Sequence, residues 1–314
     1  MKFTRMFGSY VVRSIKMCKY KHRHGNIAYS TTANPSSANY CLNTVRQFDY
    51  ENFICTLLLP SNYRTSAFAI RAFNIEVARV QDSVSDSQIG QMRMKFWEDT
   101  IEKIYADSNV PQHPVAAELY SASKRHKLTK RFLKRLISVR AAQLSSPTFP
   151  DLDAAELYAE ASVSSVYYLL LESAGLQSVR ADHAASHLGK AQGLANLVRG
   201  TPRQAARRAV GLPRDVLARH GVPHEAVFRA RSSRALRDAV LEVAHRAKQH
   251  LDKARSLGKQ VPKEGRCLLL PAVAVGSYLD RLQAADFDVF HPRLRQRDSL
   301  LPLRLYWRKL FSEY

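Results

Sequence analysis

Apolar residues recur at every third or fourth position along most of this chain, which is the spacing of one face of an α-helix. The pattern is clearest over residues 234–255, where the charged side chains lie off a single apolar stripe. That stripe consists of Leu236, Val240, Val243, Ala244, Ala247, Leu251 and Ala254. No run of alternating apolar and polar residues is flanked by hairpin turns, so the sequence predicts an all-α fold with a single helical domain.

Further helices are expected in the first half of the chain. A helix of about 20 residues follows Pro60, and others begin near Pro114 and Thr129. Another runs from Leu152 to Leu171, with Gly175 just beyond its end.

Residues 87–104 are also expected to form a helix, capped by Ser85 or Ser87. Its apolar face is predicted from the spacing of Ile89, Met92, Phe96, Ile101 and Ile104.

Basic residues dominate the charge and are unevenly distributed. The chain has 48 Lys and Arg against 27 Asp and Glu, a net charge of +21, which disfavours an ordinary neutral cytosolic enzyme. Residues 1–48 contain eight basic residues and no acid, and residues 190–314 contain 25 basic residues against 11 acidic ones. The four cysteines show no C-x-x-C spacing, so neither a zinc site nor a disulfide framework is indicated. The longest apolar run, residues 267–279, is too short and too interrupted to cross about 30 Å of hydrocarbon.

The acid-free start of the chain is typical of a mitochondrial transit peptide. On a helical wheel, Arg5, Arg13 and Lys16 lie opposite Phe3 and Phe7, as in the basic amphipathic helices that import machinery recognises. A disordered basic tail is the alternative. Residues 30–39 are predicted to be a linker, so we divide the chain into a transit peptide with linker, 1–38, and a helical domain, 39–314.

Two segments resemble the signature helices of the squalene and phytoene synthase family: Ser66–Asp82, SAFAIRAFNIEVARVQD, and Leu188–Asp215, LGKAQGLANLVRGTPRQAARRAVGLPRD. Three others resemble more closely a mitochondrial branch of that family, the complex I assembly factors: Ile89–Trp97, Ala181–Gly193 and Asp286–Leu294. The motifs occur in the family's order over nearly everything from Tyr40 onward. The resemblance implies an all-α prenyl synthase fold and a role in assembling respiratory complex I.

Active members of this family carry two aspartate-rich motifs, whose carboxylates on facing helices hold the Mg²⁺ that assists departure of a diphosphate. When the motifs are aligned, the acidic positions of the first fall on Ala78, Arg79 and Asp82, and those of the second on Gly200, Arg203 and Gln204. Only Asp82 remains acidic, and two positions are cationic, which would repel a metal ion. The resemblance therefore implies a degenerate metal site, with no metal, no cofactor and no catalytic residue.

A second departure from the family concerns its substrate cavity. The glycine positions of a small-residue motif that follows the tyrosine matched by Tyr158 fall on Ser164 and Tyr167. Tyr167 either occupies space that glycine leaves for a substrate chain, or faces a neighbouring helix and leaves the cavity intact. Binding of a lipid tail stays open.

His183 and His187, four residues apart, have the spacing of two metal ligands on one helix face. No third ligand is evident nearby in the sequence, and the alternative is a packing or capping role.

The basic residues of the C-terminal third indicate a contact surface. Arginines concentrate within a short stretch at Arg199, Arg203, Arg207, Arg208 and Arg214. Because no RNA-binding aromatic motif, zinc finger or basic zipper accompanies them, nucleic acid is disfavoured. An acidic partner or anionic inner-membrane lipid fits better.

Taken with the resemblance, these features predict a non-enzymatic complex I assembly factor that contacts complex I subunits or assembly intermediates. It is expected at the matrix side of the inner mitochondrial membrane, with peripheral membrane contact. The alternatives are a prenyl diphosphate transferase that uses Asp82 with an unconventional metal arrangement, and a lipid-binding or RNA-binding matrix protein.

Overall fold

Helices account for the regular structure of the chain. The computed structural model describes residues 36–84, 86–311 and 313–314, and over these residues it has sixteen α-helices and no strand. In chain order they are α1 Ser37–Phe48, α2 Tyr50–Leu57, α3 Ser61–Ser83, α4 Ser87–Tyr105, α5 Pro114–His126, α6 Lys130–Ser145, α7 Leu152–Ala159, α8 Ser165–Ser173, α9 Val179–Ala206, α10 Arg214–Arg219, α11 His224–Phe228, α12 Arg234–Ser256, α13 Lys263–Arg266, α14 Pro271–Ala284, α15 Pro292–Arg295 and α16 Leu301–Leu310. The prediction of an all-α fold is confirmed.

The longest helix, α9, lies at the centre of this arrangement. It packs most extensively against α12, whose predicted apolar stripe is buried at all seven positions. On its other sides α9 contacts α7, α8 and α14. The helix predicted over residues 152–171 is interrupted by a π-helical turn, Glu160–Ser164, which joins α7 to α8. Gly175 follows α8 with a φ of +71°.

Two glycines allow α9 to approach this π-helical turn closely. A Cβ atom on Gly189 would lie 2.1 Å from Oγ and 2.6 Å from Cα of Ser164. A Cβ on Gly193 would lie 2.3 Å from Cβ of Ala159. Side chains at these two positions would therefore push the helices apart, because neither backbone contact can be relieved by rotating a side chain.

The orientation of α4 differs from the prediction in its first half. Ile89, Met92 and Phe96 are exposed, whereas Ile101 and Ile104 are buried as expected. The buried face begins instead with Gly90, Met94 and Trp97. The Trp97 ring packs edge-on against Phe73 of α3, with 5.4 Å between ring centroids, and burial of this largest side chain sets the rotation of the helix. The cap was also predicted wrongly, since the Asp86 side chain accepts the Gln88 N–H.

The described part of the chain begins with a capped helix. The Ser36 side chain accepts the Asn39 N–H, so α1 starts at Ser37, inside the predicted linker. The predicted transit peptide otherwise lies outside the described residues. Within the described residues, no helix combines the length and apolar character needed to cross a membrane.

Candidate functional site

The two helices that carry the predicted metal motifs converge at their C-terminal ends. Asp82, in the last turn of α3, lies beside Arg203 in the last turn of α9 and Arg207 just beyond it. Its two carboxylate oxygens are 3.0 Å from Nη1 of Arg203 and 2.6 Å from Nη1 of Arg207. The one acid among the six predicted motif positions is therefore neutralised by two guanidinium groups.

The other motif positions hold no carboxylate. The Arg79 guanidinium lies over the Phe48 ring of α1, 3.6 Å from its centroid. Gly200 faces open space, since a Cβ at this position would have its nearest side-chain atom 3.9 Å away, on Gln204. The Gln204 side chain lies against Gly211, where any Cβ would meet it at 2.1 Å. Apart from Asp82 and Arg203, the first motif thus contributes a stacked cation and the second contributes packing.

This donor set does not fit Mg²⁺. A magnesium ion needs a near-octahedral shell of oxygen ligands, usually with one or two free carboxylates. Here the single carboxylate, Asp82, is already bound by two cations. In the part of the chain that the structure describes, no three His, Cys, Asp or Glu side chains come together as a metal ligand set.

Tyr167 lies in the interior between the two motif helices. Its side chain is fully buried, and its hydroxyl donates to Oε1 of Gln192 on α9 at 2.5 Å. Burial raises the pKa of this hydroxyl, while the nearby charge of Arg71 on α3 opposes the shift. Arg71 lies seven residues before Ala78 and Gln192 eight residues before Gly200, so each is about two helical turns, or roughly 11–12 Å, from the first motif position on its helix. Tyr167 therefore takes up interior space beneath the converging helix ends.

Arg71 is a polar residue of the interior that the sequence analysis missed. It is 5 % exposed, and its Nε is buried without a hydrogen-bond partner among the described residues. The signal was a charged residue between Phe68 and Ile75 on the apolar stripe of α3, at helical spacing. Arg71 is therefore a charged residue that the interior holds with at least one nitrogen unpaired.

The predicted surface arginines lie together around the end of α9 and the turn that follows. Arg199 pairs with Glu51 at 2.8 Å and stacks over the Tyr278 ring. Arg208 pairs with Glu225 at 3.4 Å and keeps 75 % of its side chain exposed. Arg214, which begins α10, is exposed and forms no ion pair among the described residues. Together with Arg203 and Arg207, these residues form a basic surface next to Asp82, which we call the arginine surface.

The two histidines whose spacing would suit a metal do not act together. His183 is exposed, whereas His187 is half-buried and pairs with His250 of α12. Their Nδ1 atoms are 2.9 Å apart, and Nε2 of His250 lies 3.1 Å from the Glu156 carboxylate. Burial lowers the pKa of both His187 and His250. The pair joins α9 to α12, which agrees with a packing role.

Comparison with known proteins defines the family. Residues 45–302 match the squalene/phytoene synthase family. The chain is 46% identical over 275 residues to the Bos taurus protein named NADH dehydrogenase (ubiquinone) complex I, assembly factor 6, which covers 87% of this chain and 82% of that protein. The Homo sapiens protein of the same name is also 46% identical, over 276 residues, covering 87% of this chain and 83% of that protein.

The fold is also found among solved structures. The crystal structure of squalene synthase HpnC from Alicyclobacillus acidocaldarius superposes with a TM-score of 0.70 at 18% identity, covering 80% of this chain and 94% of that one. At this identity the likeness concerns the fold alone. The sequence match and the shared architecture together lead to one conclusion. The chain belongs to the squalene/phytoene synthase family and, within it, to the complex I assembly factor 6 proteins.

Proposed function

We propose that this protein is a non-enzymatic assembly factor for mitochondrial respiratory complex I. The assembly role follows from the relatives that carry this name at 46% identity over most of both chains. We further propose that the protein is imported through its basic N-terminal segment and acts at the matrix side of the inner membrane. The lack of a spanning helix among the described residues is compatible with a peripheral contact.

The observation that carries the non-enzymatic part is the ion-pair cluster of Asp82, Arg203 and Arg207. Ionisation of a prenyl diphosphate requires cations placed against the departing phosphates, and the family supplies them as Mg²⁺ held by carboxylates. In this chain the cations are the guanidinium groups of Arg203 and Arg207, and the Asp82 carboxylate pairs with them. Tyr167 also fills interior space between the same helices. We infer from these two features that the site does not support the family's chemistry.

The first prediction is that the purified protein does not turn over prenyl diphosphates. With Mg²⁺ and farnesyl or geranylgeranyl diphosphate, release of inorganic diphosphate should equal the protein-free background, because the only carboxylate at the motif positions, Asp82, is already paired with Arg203 and Arg207. An active squalene synthase in the same assay is the positive control. Mg²⁺-dependent release that disappears in Asp82→Asn would contradict the proposal and favour a prenyl transferase.

The second prediction concerns the arginine surface as the site of contact with an acidic partner. Arg208→Glu with Arg214→Glu reverses two exposed charges without touching Asp82, and should reduce the complex I subunits that co-purify with the tagged protein at least about tenfold. The matched control is Arg131→Glu with Arg180→Glu, an equal charge change at exposed positions that begin α6 and α9. Equal recovery of subunits with both double variants would show that the partner binds elsewhere.

A further inference from the structure

The last helix of the chain, α16, has two apolar faces. Leu301 and Leu305, one turn apart, are buried in a small cluster formed with Cys55 of α2 and with Leu270, Val273 and Ala274 around the start of α14. This contact fixes one side of the helix to the body of the protein. Because Leu301 and Leu305 face the body of the protein, the opposite side of α16 faces outward.

The outward side of α16 is apolar and aromatic. At about 100° per residue, Leu303, Tyr306 and Leu310 lie opposite the buried pair, with Trp307 beside them. Each of the outward residues is more than half exposed, and the set is Leu300, Leu303, Tyr306, Trp307, Leu310 and Phe311. We call it the outward face. A contiguous apolar patch of this kind marks a binding surface, because single exposed apolar residues are normal but a whole helix face is not.

Basic residues predominate in the last segment of the chain, which contains α16. From residue 293 to the end of the chain, six are basic and two are acidic. The basic residues are Arg293, Arg295, Arg297, Arg304, Arg308 and Lys309. Both acids are engaged within the protein: Asp298 accepts from Ser277 at 2.5 Å and pairs with Arg304 at 3.1 Å, and Glu313 pairs with Arg308. The segment that contains α16 thus carries a net charge of +4.

We propose that the outward face of α16 binds an anionic lipid bilayer, with the helix lying flat in the interface. Ten residues span about 15 Å, which is too short to cross the hydrocarbon but suits an interfacial helix. Tyr306 and Trp307 are the side chains that membrane interfaces favour, and the net positive charge of this segment matches anionic headgroups. A second copy of the chain would bring two segments of net charge +4 together, which disfavours self-association through this face. This inference rests on the peripheral membrane contact proposed above and locates it.

Trp307 provides a direct readout. The chain has two tryptophans, and only Trp307 is exposed, because Trp97 is buried against Phe73. When the full chain is mixed with vesicles of equal parts phosphatidylcholine and phosphatidylglycerol, we expect the emission to shift to shorter wavelength and iodide quenching to fall. Vesicles of phosphatidylcholine alone should produce a much smaller change, and high salt should reverse the effect of the anionic vesicles.

Sedimentation with the same anionic vesicles tests whether the residues of the outward face are needed for binding. A variant with Leu303→Ser, Trp307→Ser and Leu310→Ser should bind at least about tenfold less than the unmodified chain. The matched control carries Ile89→Ser, Met92→Ser and Phe96→Ser, three exposed apolar residues on α4, and should bind normally. Because all six side chains are exposed, both variants should remain folded, as checked by circular dichroism.

Three results would overturn the inference. The first is that the unmodified chain does not bind anionic vesicles at all, and the second is that the α16 variant binds them as well as the unmodified chain does. The third is an unmodified chain that is dimeric, with a dimer that the α16 substitutions disrupt and the α4 substitutions do not. The failure of this inference is distinguishable from that of the assembly role. If vesicle binding is absent while the chain restores complex I in deficient cells, only the membrane surface is wrong. If vesicle binding occurs but complex I is not restored, the assembly role is wrong.

Discussion

At the scale of single residues, the decisive feature is which groups the charged side chains at the motif positions contact. Aligning the motifs predicted that Arg79 and Arg203 would repel a metal ion. In the structure Arg203 pairs with Asp82, whereas Arg79 turns away and stacks on Phe48. The second partner of Asp82, Arg207, is not one of the six aligned positions, and its pairing with Asp82 could not be predicted from the alignment, since it depends on how two helix ends meet in space. Exposed pairs of this kind contribute only about 0 to 1 kcal/mol each to stability, so their main effect is on the charge of the site.

Another residue-scale prediction concerns the paired histidines. Burial lowers the pKa of both His187 and His250 in the folded protein, although the Glu156 carboxylate opposes the shift at His250. The unfolded chain therefore takes up protons that the folded chain does not once the pH falls below about 6.5, the ordinary histidine pKa. Stability that is present above that pH should be lost progressively below it, as the pH falls towards the lowered pKa values.

Urea unfolding between about pH 7.5 and pH 5.5 measures this loss. Replacing both residues, His187→Gln with His250→Gln, should flatten the fall in unfolding free energy with decreasing pH. The exposed pair His183→Gln with His245→Gln should leave it unchanged. If the two double variants show the same pH dependence, the histidine pair does not titrate with folding.

At the scale of helices, the spacing of apolar residues predicted the buried face correctly where only one face of the helix is buried. The stripe of α12 was predicted in full, because its other face is strongly charged. In α4 the apolar residues surround more of the helix, so spacing could not decide between Phe96 and Trp97, and the contact with Phe73 decided for Trp97. In α16 the sequence places apolar residues on two sides of the helix, with Leu301 and Leu305 on one and Trp307 on the other. Only the fold shows that Leu301 and Leu305 are buried and that Trp307 faces outward.

The close approach of α9 to the π-helical turn gives a prediction at this scale. Gly189→Ala and Gly193→Ala should each destabilise the fold by about 1–3 kcal/mol, because the added methyl groups meet backbone atoms. Gly200→Ala, on the same helix in open space, should instead stabilise it by about 0.5–1 kcal/mol through helix propensity. Denaturant unfolding of the three variants measures the differences. A Gly189→Ala protein as stable as Gly200→Ala would mean that the helices are not in contact there.

At the scale of the whole molecule, the helical class and the order of the family segments could be read from the sequence because both depend on local pattern. Which side chains fill the interior could not be read from the sequence. Whether Tyr167 enters the space between the motif helices depends on the rotation of α8, which the π-helical turn Glu160–Ser164 changes without any sequence signal. The partner of His187 likewise lies 63 residues away on α12, and only the fold brings the two together.

The central claim is that the family's architecture serves complex I assembly here without the family's chemistry. The most direct test is the amount of assembled complex I in cells that lack the endogenous protein and express a variant at matched abundance. We predict that Asp82→Asn restores complex I as fully as the unmodified chain, because no metal depends on that carboxylate. The Arg208→Glu and Arg214→Glu double variant should restore less and shows that the assay responds to a surface defect. Failure of Asp82→Asn to restore complex I at normal protein abundance would contradict the claim.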